Sequence, residues 1–165
     1  MAYGIRTLSA GEVALLRPIF GERLDYERVR LNDGYGINHI AALALSSPAA
    51  DAVTLRRTIY FGRHLADDFA EASLIGQGLL AHELVHVMQW AERGVPRFAG
   101  CYLCELVKVG FVQKRMYQYA AGQPFAAAGL EAQAQMVQDY FLRRALGKPR
   151  DHLEKSLAGT GLFGL

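Results

Sequence analysis

Cysteine is scarce, with only Cys101 and Cys104 among 165 residues. Two cysteines cannot frame a small secreted fold stapled by disulfides, and a reducing compartment is the default. An excess of charge of one sign is missing as well. Lys and Arg number 18 against 16 Asp and Glu, for a net charge of +2, and the basic residues gather only in short pairs such as Arg56-Arg57 and Arg143-Arg144. That pattern excludes the electrostatic footprint of a nucleic-acid binder. No apolar run reaches membrane-spanning length, so membrane insertion is not expected. Met1-Ala2-Tyr3-Gly4-Ile5-Arg6 lacks the charged segment and apolar stretch of a secretory signal. Cytoplasmic synthesis is the expectation, and it is compatible with later export by a signal-free route. Internal repeats, low-complexity segments and interdomain linkers are absent. What remains, 52% apolar and 21% charged residues, suits one soluble domain over 1–165 with a single core.

Ser9-Ala10-Gly11-Glu12 has the spacing of a capping box, and Val13, Leu16 and Phe20 recur at helical intervals, which predicts a helix from about Ser9 to Phe20. Tyr26 to Leu31 and Val53 to Phe61 are rich in β-branched and aromatic residues and are expected to be strands of a small sheet, with Asn32-Asp33-Gly34 as a turn. Ile37 to Leu45 fits either a strand or a helix. A long apolar pattern from about Ser73 to Arg93, stopped by Gly94 and Pro96, predicts the central helix. Further helices are expected from about Tyr102 to Gln118 and from about Phe125 to Leu146, and a loosely held tail from Gly159. The fold class is therefore α+β, mostly helical with a small N-terminal β-sheet.

His82-Glu83-Leu84-Val85-His86 matches the H-E-x-x-H pattern and falls inside the predicted central helix. Residues four apart project from nearly the same side of a helix, so both imidazoles can reach one tetrahedral zinc ion while Glu83 stands beside it. Zinc lowers the pKa of a bound water, and Glu83 is placed to act as general base. The bland alternative makes His82 and His86 ordinary core histidines, but burying two His and a Glu within Leu79 to Met88 without a partner is unfavourable.

A catalytic zinc needs a third protein ligand. Glu92 stands where the metzincin pattern puts its last ligand, but that pattern breaks the helix at a glycine and this chain has Gln89 there. On an unbroken helix Glu92 lies about 9 Å along the axis from His86, out of reach. Glu131, 45 residues after His86, corresponds to a ligand from a second helix and is the favoured candidate, while Glu105, Asp139, His39, His64 and His152 are weaker ones. Gln135 and Asp139 are candidates to orient a ligand histidine. Tyr117 and Tyr119 carry phenolic donors that could stabilise a developing oxyanion. Cys101-Tyr102-Leu103-Cys104 has C-x-x-C spacing, but without a second pair it reads as packing at a helix start.

The stretch Leu79-Leu80-Ala81-His82-Glu83-Leu84-Val85-His86-Val87-Met88-Gln89-Trp90 resembles the L-L-x-H-E-L-x-H-V-x-Q signature of a bacterial zincin-like family, whose members are described as vgr-related or metallopeptidase-like and occur near secreted toxins. The likeness extends to Arg6-Thr7-Leu8 with Glu12 and Arg17, to Phe20-Gly21, Asp25-Tyr26 and Val29-Arg30, and to Tyr117-Gln118-Tyr119 and Gly129 to Gln135. It covers the chain up to about Leu142, with Val85 departing where Thr is expected. The resemblance implies a gluzincin-like fold, a zinc site of His82, His86 and Glu131, and metallopeptidase activity on a peptide or protein substrate. A secretion-system or toxin partner is implied too, with a catalytically silent zinc-stabilised interaction module as the alternative.

Overall fold

The computed structural model describes residues 4–46, 50–62 and 65–165. Met1 to Tyr3, at the head of the segment read for an export signal, and His64, a weaker ligand candidate, lie outside the described residues. Four short strands, β1 (Ile5–Arg6), β2 (Arg30–Asp33), β3 (Ala52–Leu55) and β4 (Thr58–Phe61), form a mixed sheet in the order β1-β2-β4-β3. β2 and β4 run parallel with Leu31 opposite Ile59, and the two outer pairs are antiparallel. Six helices accompany the sheet among the described residues: α1 (Ala10–Phe20), α2 (His39–Leu45), α3 (Leu74–Arg93), α4 (Val95–Lys108), α5 (Leu130–Ala145) and α6 (Asp151–Leu157). The chain is thus mostly helical with a small N-terminal mixed sheet, an α+β arrangement.

The capping box forms as the sequence predicts, with Ser9 Oγ accepting from Glu12 N at 3.0 Å and Glu12 Oε2 accepting from Ser9 N at 2.8 Å. Glu12 does more than cap. Fully buried, its carboxylate also takes both Arg6 guanidinium nitrogens at 2.7 and 2.8 Å and the Phe69 amide at 2.9 Å. A buried carboxylate is tolerated only with such a set of donors. The network ties β1 and α1 to the segment that leads into α3.

Several boundaries differ from expectation. Tyr26 to Leu31 is not one strand: Tyr26–Arg28 is a 3-10 turn whose Tyr26 hydroxyl donates to Gly21 O at 2.8 Å, and β2 starts at Arg30. Asn32 and Asp33 belong to that strand, and the turn falls instead at Gly34 and Gly36, both with positive φ. Val53 to Phe61 is a hairpin, with Arg56 at φ 59° in a two-residue turn that carries none of the usual Gly, Asn or Asp signals. Within Ile37 to Leu45 the chain forms a helix over His39–Leu45, capped by Asn38. Gly94 ends α3, but Pro96 does not stop the chain: it sits in the first turn of α4, where a missing N–H costs nothing. The second predicted helix therefore begins at Val95 and ends at Lys108. α6 was not anticipated. The tail is not loose, because Leu162 is fully buried, the 3-10 turn Leu162–Gly164 packs on α1, and the Phe163 ring lies 4.4 Å from that of Tyr140.

The core lies between the sheet, α1, α3 and α5, with Leu16, Phe20, Phe61, Phe69, Leu84 and Met136 among its largest buried side chains. α3 is buried continuously from Leu80 to Gln89, since it packs on α5 along one flank and on β3 along another. Small residues let α5 come close: Ala134 is fully buried, and a Cβ at Gly78 would meet Leu142 at 3.1 Å. Among the described residues no helix is long and apolar enough to cross a membrane.

Candidate metal centre

Four polar side chains, His82, Glu83, His86 and Gln89, lie within the buried stretch of α3, each exposed by 6% or less. Polar groups are kept in such surroundings only when they are partnered. His82 and His86, four apart, bring their rings to 5.0 Å centroid separation at a 74° interplanar angle. Across the α3–α5 contact stands Glu131, at the second position of α5, with Oε2 3.3 Å from His82 Nε2 and 3.2 Å from His86 Nε2.

These separations suit a metal site as well as a hydrogen-bonded cluster. They are long for charge-assisted hydrogen bonds. Ligands at about 2.1 Å from a tetrahedral zinc ion stand about 3.4 Å apart. The three donor atoms all lie within 4.8 Å of one another, so the set fits a divalent cation of that size. Two imidazole nitrogens and one carboxylate oxygen suit zinc chemistry, and three protein ligands leave a fourth position for water or substrate.

Charge is arranged accordingly. Burial alone would lower the pKa of His86, but the neighbouring Glu131 carboxylate overrides it and holds His86 at about 9. Burial would raise Glu131, yet His86 and then His82 hold its carboxyl well below the usual range. In the metal-free protein, cationic His86 therefore balances anionic Glu131, and a bound cation would replace that proton.

Surrounding residues fix the ligands. His86 Nδ1 lies 2.8 Å from Gln89 Oε1, and the Gln89 amide donates to Leu130 O at 3.0 Å and Gln133 Oε1 at 2.9 Å. The residue that rules out a metzincin turn is thus the one that orients His86. Glu105 holds the other ligand helix: both its carboxylate oxygens accept from Leu130 N at 2.9 Å, replacing the cap that Gly129 lacks a side chain to supply. A Cβ at Gly129 would meet the Glu105 carboxylate at 2.8 Å, so the absence of a side chain there leaves room for this cap. Replacing Gln89 with Leu is expected to weaken zinc binding by roughly 10- to 100-fold. A competitive chelator titration checks this, with thermal melting to confirm that the variant is folded.

Glu83 stands outside the ligand set. Its Oε2 accepts from Thr54 Oγ1 at 2.7 Å, and Thr54 O in turn accepts from Trp90 Nε1 at 3.0 Å, which locks β3 against α3. The carboxylate lines a cleft of about 760 Å³ together with His82, His86 and Glu131. Tyr117 also lines it, its ring 5.8 Å from that of His82, and burial followed by the charges of Glu131 and Glu83 pushes its pKa far up, which keeps the phenol protonated. Tyr102 is pushed up to about 12, by burial first and Glu131 second.

Other candidates lie elsewhere. Tyr119 hydrogen-bonds Asp139 and does not line the cleft, and Asp139 also accepts from Gln135 at 2.8 Å. Gln135 lines the cleft without holding either histidine. Glu92 pairs with Arg23 at the surface, His39 is exposed and His152 lies on α6. Cys101 and Cys104 are free thiols on α4, and Cys104 is exposed. Sequence reasoning missed Thr54, Tyr102 and Gln89 as site residues. Only Gln89 carried a readable signal, one helical turn beyond His86.

Comparison with known proteins places this geometry in context. Residues 8–94 match the eCIS core domain. Over 141 residues the chain is 30% identical to the type VI secretion system spike protein VgrG2b of Pseudomonas aeruginosa, an alignment that covers 84% of this chain and 13% of VgrG2b. The chain therefore spans only a small part of that relative. The solved effector domain of P. aeruginosa VgrG2b superposes with a TM-score of 0.66 at 30% identity, covering 93% of this chain and 82% of that structure.

Proposed function

The chain belongs to the eCIS core domain family, and from that membership and the buried His82–His86–Glu131 cluster we propose a zinc-binding module deployed with a secretion or toxin system, whose site hydrolyses peptide bonds. The first half rests on the likeness to the VgrG2b effector domain and on a donor set able to coordinate a divalent metal. The second rests on one observation above others: Glu83 is a buried carboxylate that lines the cleft beside the cluster without belonging to it. Its contact with Thr54 also ties β3 to α3, so what supports the hydrolytic reading is the position of this carboxylate in the cleft next to the cluster.

This reading treats the site as gluzincin-like, supported by the His82–His86 pair on one helix and the Glu131 carboxylate from a second. When bound, zinc supplies Lewis acidity that polarises a substrate carbonyl and acidifies water. Glu83 takes the proton from the attacking water and passes it to the departing amine. Thr54 fixes the carboxylate that performs this transfer. Tyr117, kept protonated, donates to the negative charge developing on the carbonyl oxygen; Tyr119, turned to Asp139, is given no part in it.

Likeness to a secreted effector supports equally a module that binds zinc and partners without turnover. The two readings separate when zinc-loaded and chelator-stripped protein are incubated with an unfolded protein and a complex peptide mixture, and new termini are mapped by mass spectrometry. Zinc-dependent cleavage is the expected result. Absence of cleavage by protein carrying a full complement of zinc would leave the interaction module.

A further inference from the structure

The walls of the cleft are markedly apolar. Ile40 and Leu43 of α2, Leu103 and Leu106 of α4, and Phe111 just beyond it all line it. These are not the rims of a core, because Leu43 is 76% exposed, Leu103 58% and Phe111 67%. Phe111 is moreover held at φ 61°, a left-handed conformation that a bulky residue seldom adopts. Large apolar side chains exposed to solvent in the lining of a cleft that also holds a polar cluster mark a ligand site.

The charges of the cleft limit what that ligand is. Among the described lining residues the ionisable acids are Asp51, Glu83 and Glu131, and there is no Lys or Arg. Away from the metal cluster, a phosphate or a free chain-terminal carboxylate would find no Lys or Arg in the cleft to hold it. β3 is the last strand of the sheet and lines the cleft, so apart from the Thr54 carbonyl, which accepts from Trp90 Nε1, its outer edge offers backbone donors and acceptors to an extended chain. An internal stretch of polypeptide meets both conditions.

At one end the chemistry reverses. β3 passes Glu83 at Thr54, continues through Leu55 and enters the Arg56-Arg57 turn. Both arginines line an adjoining hollow of about 620 Å³ that shares Leu55 and Trp90 with the metal cleft. Both are exposed, and neither forms an ion pair among the described residues. At about 3.3 Å per extended residue, the turn lies about two or three residues along a bound chain from Thr54.

Building on the hydrolytic reading above, we infer that the cleft accepts an internal, extended polypeptide segment with a bulky apolar side chain over the metal cluster and an acidic residue toward the Arg56-Arg57 turn. Leu43 and Leu103 determine the first preference, and the arginine pair determines the second and with it the direction in which the chain lies.

Binding tests this apart from turnover. Fluorescence anisotropy with zinc-loaded Glu83→Gln protein compares three end-blocked, labelled peptides: a Leu-Phe core with a neighbouring Asp, the same peptide with Asn for Asp, and a Ser-Gly core. The Ser-Gly peptide is expected to bind at least about tenfold more weakly, and the Asn peptide about threefold more weakly. Leu43→Asp with Leu103→Asp, both at exposed positions, should remove the first difference. Arg56→Gln with Arg57→Gln should remove only the second. Equal binding of all three peptides, or an apolar preference unchanged in the leucine variant, would overturn the inference. An Asp preference that survives loss of both arginines would overturn the assignment of the acidic residue to the turn. Selective binding without any cleavage by the native protein would remove the hydrolytic reading alone, whereas cleavage indifferent to apolar side chains would remove this inference alone.

Discussion

Glu83→Gln protein is expected to retain its zinc and its fold while losing peptide hydrolysis by roughly 10²- to 10⁴-fold in kcat, the usual contribution of a positioned general base. The expectation follows from where the carboxylate stands. Glu83 lies beside His82 in sequence, but the cluster able to hold a metal among the described residues comprises His82, His86 and Glu131. Gln has nearly the same shape and its amide oxygen can still accept the Thr54 hydroxyl, which now meets Glu83 Oε2 at 2.7 Å. The substitution therefore removes a proton acceptor and little else. Melting temperature and zinc content, measured on the same preparation, separate loss of the base from loss of the site. A zinc-loaded variant as active as the native protein would exclude Glu83 from the chemistry.

The second large effect is on metal affinity and runs with pH. Burial opposes a proton on His86, but Glu131 holds the imidazole at about 9, above its ordinary 6.5. Below 6.5 the charged pair contributes its full stabilisation to the metal-free fold, and that contribution is lost as pH rises through about 9. Zinc needs the neutral imidazole, so binding must displace this proton. Apparent zinc affinity is therefore expected to rise about tenfold per pH unit between about pH 6.5 and 8.5, with close to one proton released per ion. Isothermal titration calorimetry in buffers of differing ionisation enthalpy reads the proton directly. Glu131→Gln removes the carboxylate that raises His86, so the variant should bind zinc weakly and with much less proton release. An affinity that is flat over this range would mean that the metal-free pair does not carry the proton.

How far the sequence alone could be read depended on whether a feature was local. His82, Glu83 and His86 lie within one helix, so their spacing states their geometry directly, and the capping box of Ser9 and Glu12 is local in the same way. Glu131 was legible as a candidate because the chemistry demanded a third ligand. What singles it out is tertiary: Glu105 is drawn to the amide of Leu130 and Asp139 to Tyr119 and Gln135, which leaves Glu131 facing the histidines. Thr54 had no local signal, since its role depends on β3 lying against α3, 29 residues away in sequence. Tyr117 and Tyr119 are two apart and looked alike on paper; only the packed structure turns one to His82 and the other to Asp139. The errors in the fold share a cause. The Arg56-Arg57 turn lacks turn-forming residues, Pro96 is a stop signal that also suits a first helical turn, and the Gly-rich tail is held by the burial of Leu162.

The central claim is that His82, His86 and Glu131 together bind one zinc ion. Inductively coupled plasma mass spectrometry on native protein purified without added zinc, beside His86→Ala and Glu131→Ala, tests it most directly. The account predicts about one zinc per native chain and far less than that in both variants, with circular dichroism showing all three folded. A native protein without zinc that also fails to take it up at neutral pH, or full zinc content in the Glu131 variant, would contradict it.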